Sequence, residues 1–93
     1  MARDIFIHKK AKDYLDRLDP SLRKRITESV KRLADDPYTP RPGVDIKKLR
    51  GLPGKQDAYR LRVGDHRVIY DIAQKHIYVT HIFQRGKDYE IGI

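Results

Sequence analysis

Residues 59–70 restrict the fold more than any other part of the sequence, because they read as a β-hairpin with a two-residue turn. Apolar and polar side chains alternate on either side of Gly64-Asp65, and glycine in the first position is typical of a type II′ turn. Such a turn fixes the register of its strands, so that Arg62 lies directly opposite Arg67. Like charges in that position destabilise a sheet. We therefore expect this face to meet something negative, and a phosphate backbone is the obvious candidate.

The overall charge agrees with a negatively charged partner. The 93 residues include 21 Lys and Arg against 13 Asp and Glu, which gives a net charge of +8. This balance is typical of nucleic-acid-binding proteins. The other interpretation is that the charges only keep the protein soluble. A chain of this length is expected to form a single domain over residues 1–93.

Several classes of protein are excluded by what the sequence lacks. Cysteine is absent, which excludes disulfides, thiolate zinc sites and a cysteine nucleophile. The first residues show no secretory signal, and no apolar run approaches the roughly 20 residues of a membrane span. We expect a cytoplasmic protein without a membrane partner.

Hydrophobic periodicity predicts the element order β-α-α-β-β-β-β. Asp19-Pro20 is typical of an N-cap followed by proline in the first helical turn, and Pro37 disfavours helix in the residue before it. The expected fold class is α+β, with a small twisted antiparallel sheet packed against an N-terminal helical pair. The predicted ranges are 3–8 for the first strand, 9–18 and 20–35 for the helices, 37–45 for a proline-rich connector, and 46–49, 58–63, 66–72 and 76–83 for the later strands.

Alternation gives the hairpin one apolar face and one cationic face. The helices should cover the apolar face. That face carries Tyr59, Leu61, Val63, Val68, Tyr70 and Ile72, and the opposite face carries Arg60, Arg62 and Arg67.

The last strand extends the cationic face if a three-residue turn spans 73–75. In that register Arg67 pairs with His81, although a slip of one residue would move His81 to the core side. In that register the cationic face also carries the apolar residues Ile69, Val79 and Phe83. They either form an apolar floor on which a base could stack, or only bury part of the sheet.

A longer pattern becomes visible when the hairpin is combined with its flanking segments. It consists of Lys48-Leu49-Arg50-Gly51-Leu52-Pro53, Tyr59-Arg60-Leu61-Arg62, Arg67-Val68-Ile69-Tyr70, and then Arg85 and Tyr89. With the size, charge and element order, this pattern resembles the RelE/ParE toxin superfamily of toxin–antitoxin systems over nearly the whole chain. The resemblance implies a RelE-like fold. It also implies metal-independent cleavage of mRNA in the ribosomal A site, by attack of a 2′-hydroxyl on the adjacent phosphate, and silencing by a folded antitoxin.

The resemblance also implies roles for individual residues. Arg60 and Arg62 stand where RelE-type toxins often have two lysines. Arg67 and Arg85 match arginines of the active site. Tyr89 matches a tyrosine that stacks on the base or helps the chemistry.

Cleavage by an internal 2′-hydroxyl needs a proton acceptor, stabilisation of charge at the phosphate and an acid for the 5′-oxygen. A planar guanidinium holds phosphate through two hydrogen bonds and stays protonated, so we assign Arg62, Arg67 and Arg85 to the phosphate. The same permanent charge makes an arginine a poor base. The base stays open between His81, since histidine titrates near neutrality, and Tyr89, and His81 is equally consistent with a structural strand histidine.

Other polar residues point to binding rather than to metal chemistry. His76 and His81 are five positions apart and should point to opposite faces of a strand, so we expect no metal and no cofactor. Basic side chains of the two helices are either solvated or in contact with rRNA phosphates. The residues that we assign to RNA or ribosome binding are Lys47, Lys48, Arg50, Lys55 and Lys87.

The sequence therefore predicts a type II toxin that cleaves mRNA on the ribosome. Its expected partners are an acidic RelB-like antitoxin, the A site of the 30S subunit and mRNA. Two alternatives stay open, namely a ParE-like inhibitor of DNA gyrase and a non-catalytic module that binds RNA or a protein. Retention of Arg67, Arg85 and Tyr89 favours the nuclease over the gyrase inhibitor, whereas arginines at the lysine positions add weight to the non-catalytic module.

Overall fold

The computed structural model describes residues 3–49 and 58–86 of the chain. Strand β1 spans Asp4–Ile7, helix α1 Lys9–Asp16 and helix α2 Pro20–Lys31, and a 3-10 turn follows over Arg32–Ala34. The remaining strands are β2 Asp45–Leu49, β3 Ala58–Val63, β4 His66–Ala73 and β5 His76–Gln84. The predicted α+β element order is confirmed, and the predicted bounds are wrong only at element ends.

Local capping sets the start of each helix. The imidazole of His8 accepts a hydrogen bond from the backbone N–H of Lys10, and the carboxylate of Asp19 accepts one from Ser21. Pro20 is the first residue of α2, as predicted. Its ring holds φ near the helical value, and no hydrogen bond is lost because a backbone N–H in the first turn has no acceptor within the helix. No helix in the described ranges is long and apolar enough to cross a membrane.

The described strands form one sheet in the order β1-β5-β4-β3-β2. Strands β2 to β5 pair antiparallel, whereas β1 pairs with β5 in parallel, with Ile5 opposite Ile77. The prediction of an antiparallel sheet is therefore wrong at this edge. Alternation identifies a strand but not its partner, and the two helices after β1 carry the chain too far for a hairpin.

The hairpin of β3 and β4 has the predicted register. Arg62 lies opposite Arg67, and Val63 lies opposite His66. Gly64 has a φ of 57°, which belongs to the left-handed region that glycine adopts without strain. Since Asp65 does not share a positive φ, the turn matches the predicted type II′ form.

The hairpin of β4 and β5 differs from the prediction. Ala73 pairs with His76, so the turn has two residues rather than three, and Gln74 takes a φ of 55°. Further along, Tyr70 pairs with Val79 but Ile69 pairs with His81, which leaves Thr80 as a bulged residue.

The shorter turn and the bulge together shift the register by two residues. Arg67 therefore lies opposite Phe83 and not opposite His81, and the predicted pairing is wrong. Val79 belongs to the core instead of the cationic face, with an exposed fraction of 1%. Period-two alternation cannot reveal an inserted residue, because the pattern on each side of the bulge is itself regular.

The core lies between the helices and one face of the sheet, as predicted. Tyr70 is fully buried there, and its hydroxyl donates a 2.7 Å hydrogen bond to the carbonyl of Pro37. Burial raises the pKa of this hydroxyl far above its ordinary value. A hydrogen bond of this kind contributes about 0.5–1.5 kcal/mol and ties the proline-rich connector to β4. The core residues include Ala11, Leu15, Ile26, Val30, Leu33, Val44, Ile46, Leu61, Val63, Val68, Ile77 and Ile82.

A buried histidine joins the start of β4 to α1. His66 is 6% exposed, and its Nε2 lies 3.2 Å from the hydroxyl of Tyr14. Burial lowers the pKa of His66, and the charge of Arg67 lowers it further, against the opposing effect of Asp65. The neutral imidazole is therefore the form that the fold accommodates.

This histidine should make folding stability depend on pH. The pKa of His66 is lower in the folded chain than its ordinary value of 6.5. The stability that the neutral ring gives to the fold is therefore fully present above pH 6.5 and is lost as the pH falls. We expect the free energy of unfolding to decrease from about pH 7.5 to about pH 5.5, and to decrease less in His66→Gln. Urea denaturation at both pH values measures this, with His76→Gln as the control, and equal losses in wild type and His66→Gln would contradict it.

Candidate functional site

The sheet face opposite the helices, which we call the open face, is organised in rows of side chains that run across the strands. Because paired residues share a face, the registers define these rows directly. The first row contains Asp45, Arg62, Arg67 and Phe83, the second Lys47, Arg60, Ile69 and His81, and the third Leu49, Ala58, Asp71, Tyr78 and Phe6.

Three neighbouring arginines act on the charge of Arg67. The pKa of the Arg67 guanidinium is lowered mainly by burial, and then by the positive charges of Arg60, Arg62 and Arg85. The register of β3 against β4 puts Arg60, Arg62 and Arg67 on this same face, so these three side chains start from one side of the sheet. A bound anion would relieve this mutual repulsion.

The arginine pocket is a cavity of about 420 Å³ on the open face. Three guanidinium groups surround its apolar floor, which Ile69 and Phe83 provide with exposed fractions of 5% and 7%. A cavity with cationic walls and an aromatic floor can hold a phosphate beside a stacked base. It is lined by Leu49, Arg60, Ile69, Arg67, Phe83, Arg85 and Gly86.

Backbone contacts position two of these arginines. The guanidinium of Arg67 donates to the carbonyls of Gly64 and His66, at 3.2 Å and 3.3 Å. The backbone N–H of Arg85 donates to the carbonyl of Asp65 at 2.6 Å. The hairpin turn thus fixes where both side chains enter the pocket.

An acidic residue on the open face escaped the sequence interpretation. Asp45 lies opposite Arg62, and its carboxylate is 3.2 Å from Arg62 Nε and 3.7 Å from a terminal nitrogen of Arg60. It balances part of the charge that the Arg62–Arg67 pair brings together. Asp45 lies on β2, next to β3. Its place opposite Arg62 follows from the register of β2 against β3, which the sequence does not supply.

Arg62 lies apart from the arginine pocket and lines a neighbouring cleft of about 450 Å³. The wall of this cleft also includes Arg25 of α2 and Arg41 of the connector. The sequence assigned Arg62 to the same phosphate as Arg67, whereas the two side chains line adjacent cavities. Arginines at both cavities suit a chain with repeated phosphates, although Asp45 also lines the cleft.

The histidines of β5 are arranged differently from the prediction. The bulge at Thr80 puts His76 and His81 on the same face, and the prediction of opposite faces is wrong. His81 lies opposite Ile69 and two residues from Phe83, beside the floor of the arginine pocket. No group of three or more metal-ligating side chains occurs within residues 3–49 and 58–86.

The predicted binding residues are only partly covered by the structure. Lys47 is exposed on the open face beside Arg60, and Lys48 is exposed on the opposite side of the same edge strand. On α1, Lys9 and Lys12 form ion pairs with acidic residues four positions further on, as solvated helix faces do. The predicted residues Arg50, Lys55, Lys87 and Tyr89 lie outside the described residues.

Comparison with known proteins identifies the family. The family model for the ParE toxin of type II toxin–antitoxin systems, parDE, matches residues 5–89. The chain belongs to the RelE/ParE toxin superfamily. Within this superfamily, the RelE1 protein of Methanocaldococcus jannaschii is 36% identical over 70 residues, which are 75% of this chain and 73% of that protein.

Solved RelE structures share the fold described above. The archaeal RelE–RelB complex from Pyrococcus horikoshii OT3 matches with a TM-score of 0.78 and 35% identity, covering 94% of this chain and 99% of that one. The isolated E. coli RelE toxin matches with a TM-score of 0.72 at 18% identity, covering 97% and 94%. The helical pair and the sheet are therefore RelE-like.

Proposed function

We propose that this toxin is a ribosome-dependent endonuclease that cleaves mRNA in the A site. The arginine pocket carries the proposal, because three guanidinium groups around an aromatic floor suit a phosphate and its adjoining base. Membership of the RelE/ParE superfamily and the likeness to archaeal RelE support it.

The proposed reaction uses these side chains without a metal ion. The 2′-hydroxyl of one nucleotide loses its proton and attacks the adjacent phosphorus, the bond to the 5′-oxygen breaks, and that oxygen takes up a proton. Arg67 and Arg85 stabilise the charge that develops on the phosphate, with Arg60 at the same pocket and Arg62 at the next phosphate. Tyr89 stacks on the base or carries a proton.

The surroundings of the pocket supply affinity rather than chemistry. Lys47, Lys48, Arg50, Lys55 and Lys87 contact ribosomal or messenger phosphates, which adds binding energy without sequence choice. In the cell the expected partner is a RelB-like antitoxin, as the archaeal RelE–RelB complex suggests, and the net charge of +8 favours an acidic one. The proposed location is the cytoplasm, where ribosomes are.

The test is a programmed translation reaction followed by primer extension. Addition of the protein should produce cuts within the codon at the A site, and the same mRNA without ribosomes should stay intact. Premixing with the acidic product of a neighbouring gene should abolish the cuts. Translation that continues at wild-type rate at every dose would refute the proposal.

A ParE-like inhibitor of DNA gyrase is the second candidate, because the matching family model is that of ParE. A supercoiling assay separates the two candidates. Inhibition of gyrase with intact mRNA would favour the ParE-like function, and cleaved mRNA with normal supercoiling would favour the nuclease.

A further inference from the structure

The bulge in β5 creates an unusual hydrogen-bond chain beside the arginine pocket. Thr80 has no partner in the pairing register, since Val79 pairs with Tyr70 and His81 pairs with Ile69. Its hydroxyl lies 3.3 Å from the carbonyl oxygen of Ile69 and 3.0 Å from Nδ1 of His81.

The directions of these two hydrogen bonds follow from their chemistry. A carbonyl oxygen can only accept, so the single hydroxyl hydrogen of Thr80 must be donated to Ile69. The hydroxyl oxygen is then left as an acceptor toward Nδ1 of His81. That nitrogen must therefore carry a proton, and the lone pair of a neutral ring must reside on Nε2.

We infer that Thr80 is a positioning residue that holds His81 in the Nδ1–H tautomer, so that Nε2 acts as the proton acceptor for the attacking 2′-hydroxyl. The inference rests on the proposed nuclease function and names the base of that reaction. His81 flanks both residues of the pocket floor, opposite Ile69 and two positions before Phe83. Residues that lie directly opposite on a sheet, as His81 and Ile69 do, have Cβ atoms about 4.5–5.5 Å apart.

The arrangement allows a complete proton cycle at one nitrogen. The proton of the 2′-hydroxyl moves to Nε2 while the bond from O2′ to phosphorus forms and the bond to the 5′-oxygen breaks. The leaving oxygen takes a proton from water, and the imidazolium later returns its proton to water. Because Nδ1 donates to Thr80 in both the neutral and the charged ring, the ring keeps its orientation throughout.

Other features of the site agree with this role. In the described parts of the chain, Nε2 of His81 makes no hydrogen bond. Asp71 lies on the same face of β4, and burial raises the pKa of its carboxyl, against a smaller lowering effect from the charge of His81. Arginines cannot take the proton, because they remain charged.

The tautomer is tested by ¹⁵N NMR of the full chain labelled on histidine. We expect the neutral His81 ring of wild type and of Thr80→Ser to carry its proton on Nδ1, and the ring of Thr80→Val to lose this preference. A wild-type ring protonated on Nε2 would overturn the inference, whatever the protein does to mRNA.

The catalytic role is tested in the programmed translation reaction, with binding to ribosomes measured separately. His81→Ala should slow cleavage by about 100-fold or more, as removal of a general base does. Thr80→Val should slow it by about tenfold, and Thr80→Ser should restore it, with binding unchanged in all three. If the wild type cleaves and His81→Ala cleaves equally fast, the base assignment is wrong and the nuclease stands. If the wild type does not cleave, both proposals fall.

Discussion

Replacement of Arg67 by alanine is expected to reduce mRNA cleavage on the ribosome by about 100-fold to 1,000-fold, the usual effect of removing one preorganised donor from a developing oxyanion. Arg67 is the best placed of the arginines, because the hairpin turn fixes its guanidinium and because Arg60, Arg62 and Arg85 all act on its charge. Single-turnover primer extension at saturating protein measures the effect on the chemical step.

The matched control is Arg17→Ala, which removes the same charge from an exposed position at the end of α1. It should cleave within about threefold of wild type, since it lies outside the pocket. Ribosome binding by Arg67→Ala should weaken only slightly, because a single phosphate contact is a small part of the total. Cleavage by Arg67→Ala at the rate of the control would remove the pocket from the mechanism.

The sequence predicted the features that depend on local rules. A glycine-first turn determines its own register, so the opposition of Arg62 and Arg67 could be read from residues 59–70 alone. Asp19-Pro20 specified the start of α2, because helix capping also depends only on neighbouring residues. The division of β3 and β4 into a core face and an arginine face followed from alternation over short, uninterrupted strands.

What the sequence could not predict depends on pairing at a distance. The two-residue turn at Gln74 and the bulge at Thr80 each shift β5, and neither carries a glycine or proline that would mark it. The ion pair of Asp45 needs the register of β2, which no short turn specifies. The misplaced residues, His81 and Val79, and the missed one, Asp45, therefore belong to strands whose partners are set by the whole fold.

Arg60 is expected to show opposite effects on stability and on cleavage. Its Nε is buried and makes no hydrogen bond within the described ranges, and a terminal nitrogen of the same guanidinium lies 3.7 Å from the carboxylate of Asp45. A buried donor without a partner costs free energy, and so does the repulsion between its charge and that of Arg67. The fold therefore keeps Arg60 at some expense of stability, as proteins do at functional sites.

Arg60→Met retains the apolar stem and removes both sources of strain. We expect the free energy of unfolding to stay equal or to rise by up to about 1 kcal/mol, and cleavage to fall by about 100-fold or more, since one charge at the pocket is lost. Urea denaturation and single-turnover cleavage measure the two effects.

Arg62→Met is the matched control for stability. It should be less stable than Arg60→Met, because it also relieves repulsion with Arg67 but breaks the 3.2 Å ion pair between the Arg62 Nε and the carboxylate of Asp45. A clear loss of stability in Arg60→Met would mean that this arginine is retained for the fold, and its place in the phosphate site would then lose its physical basis.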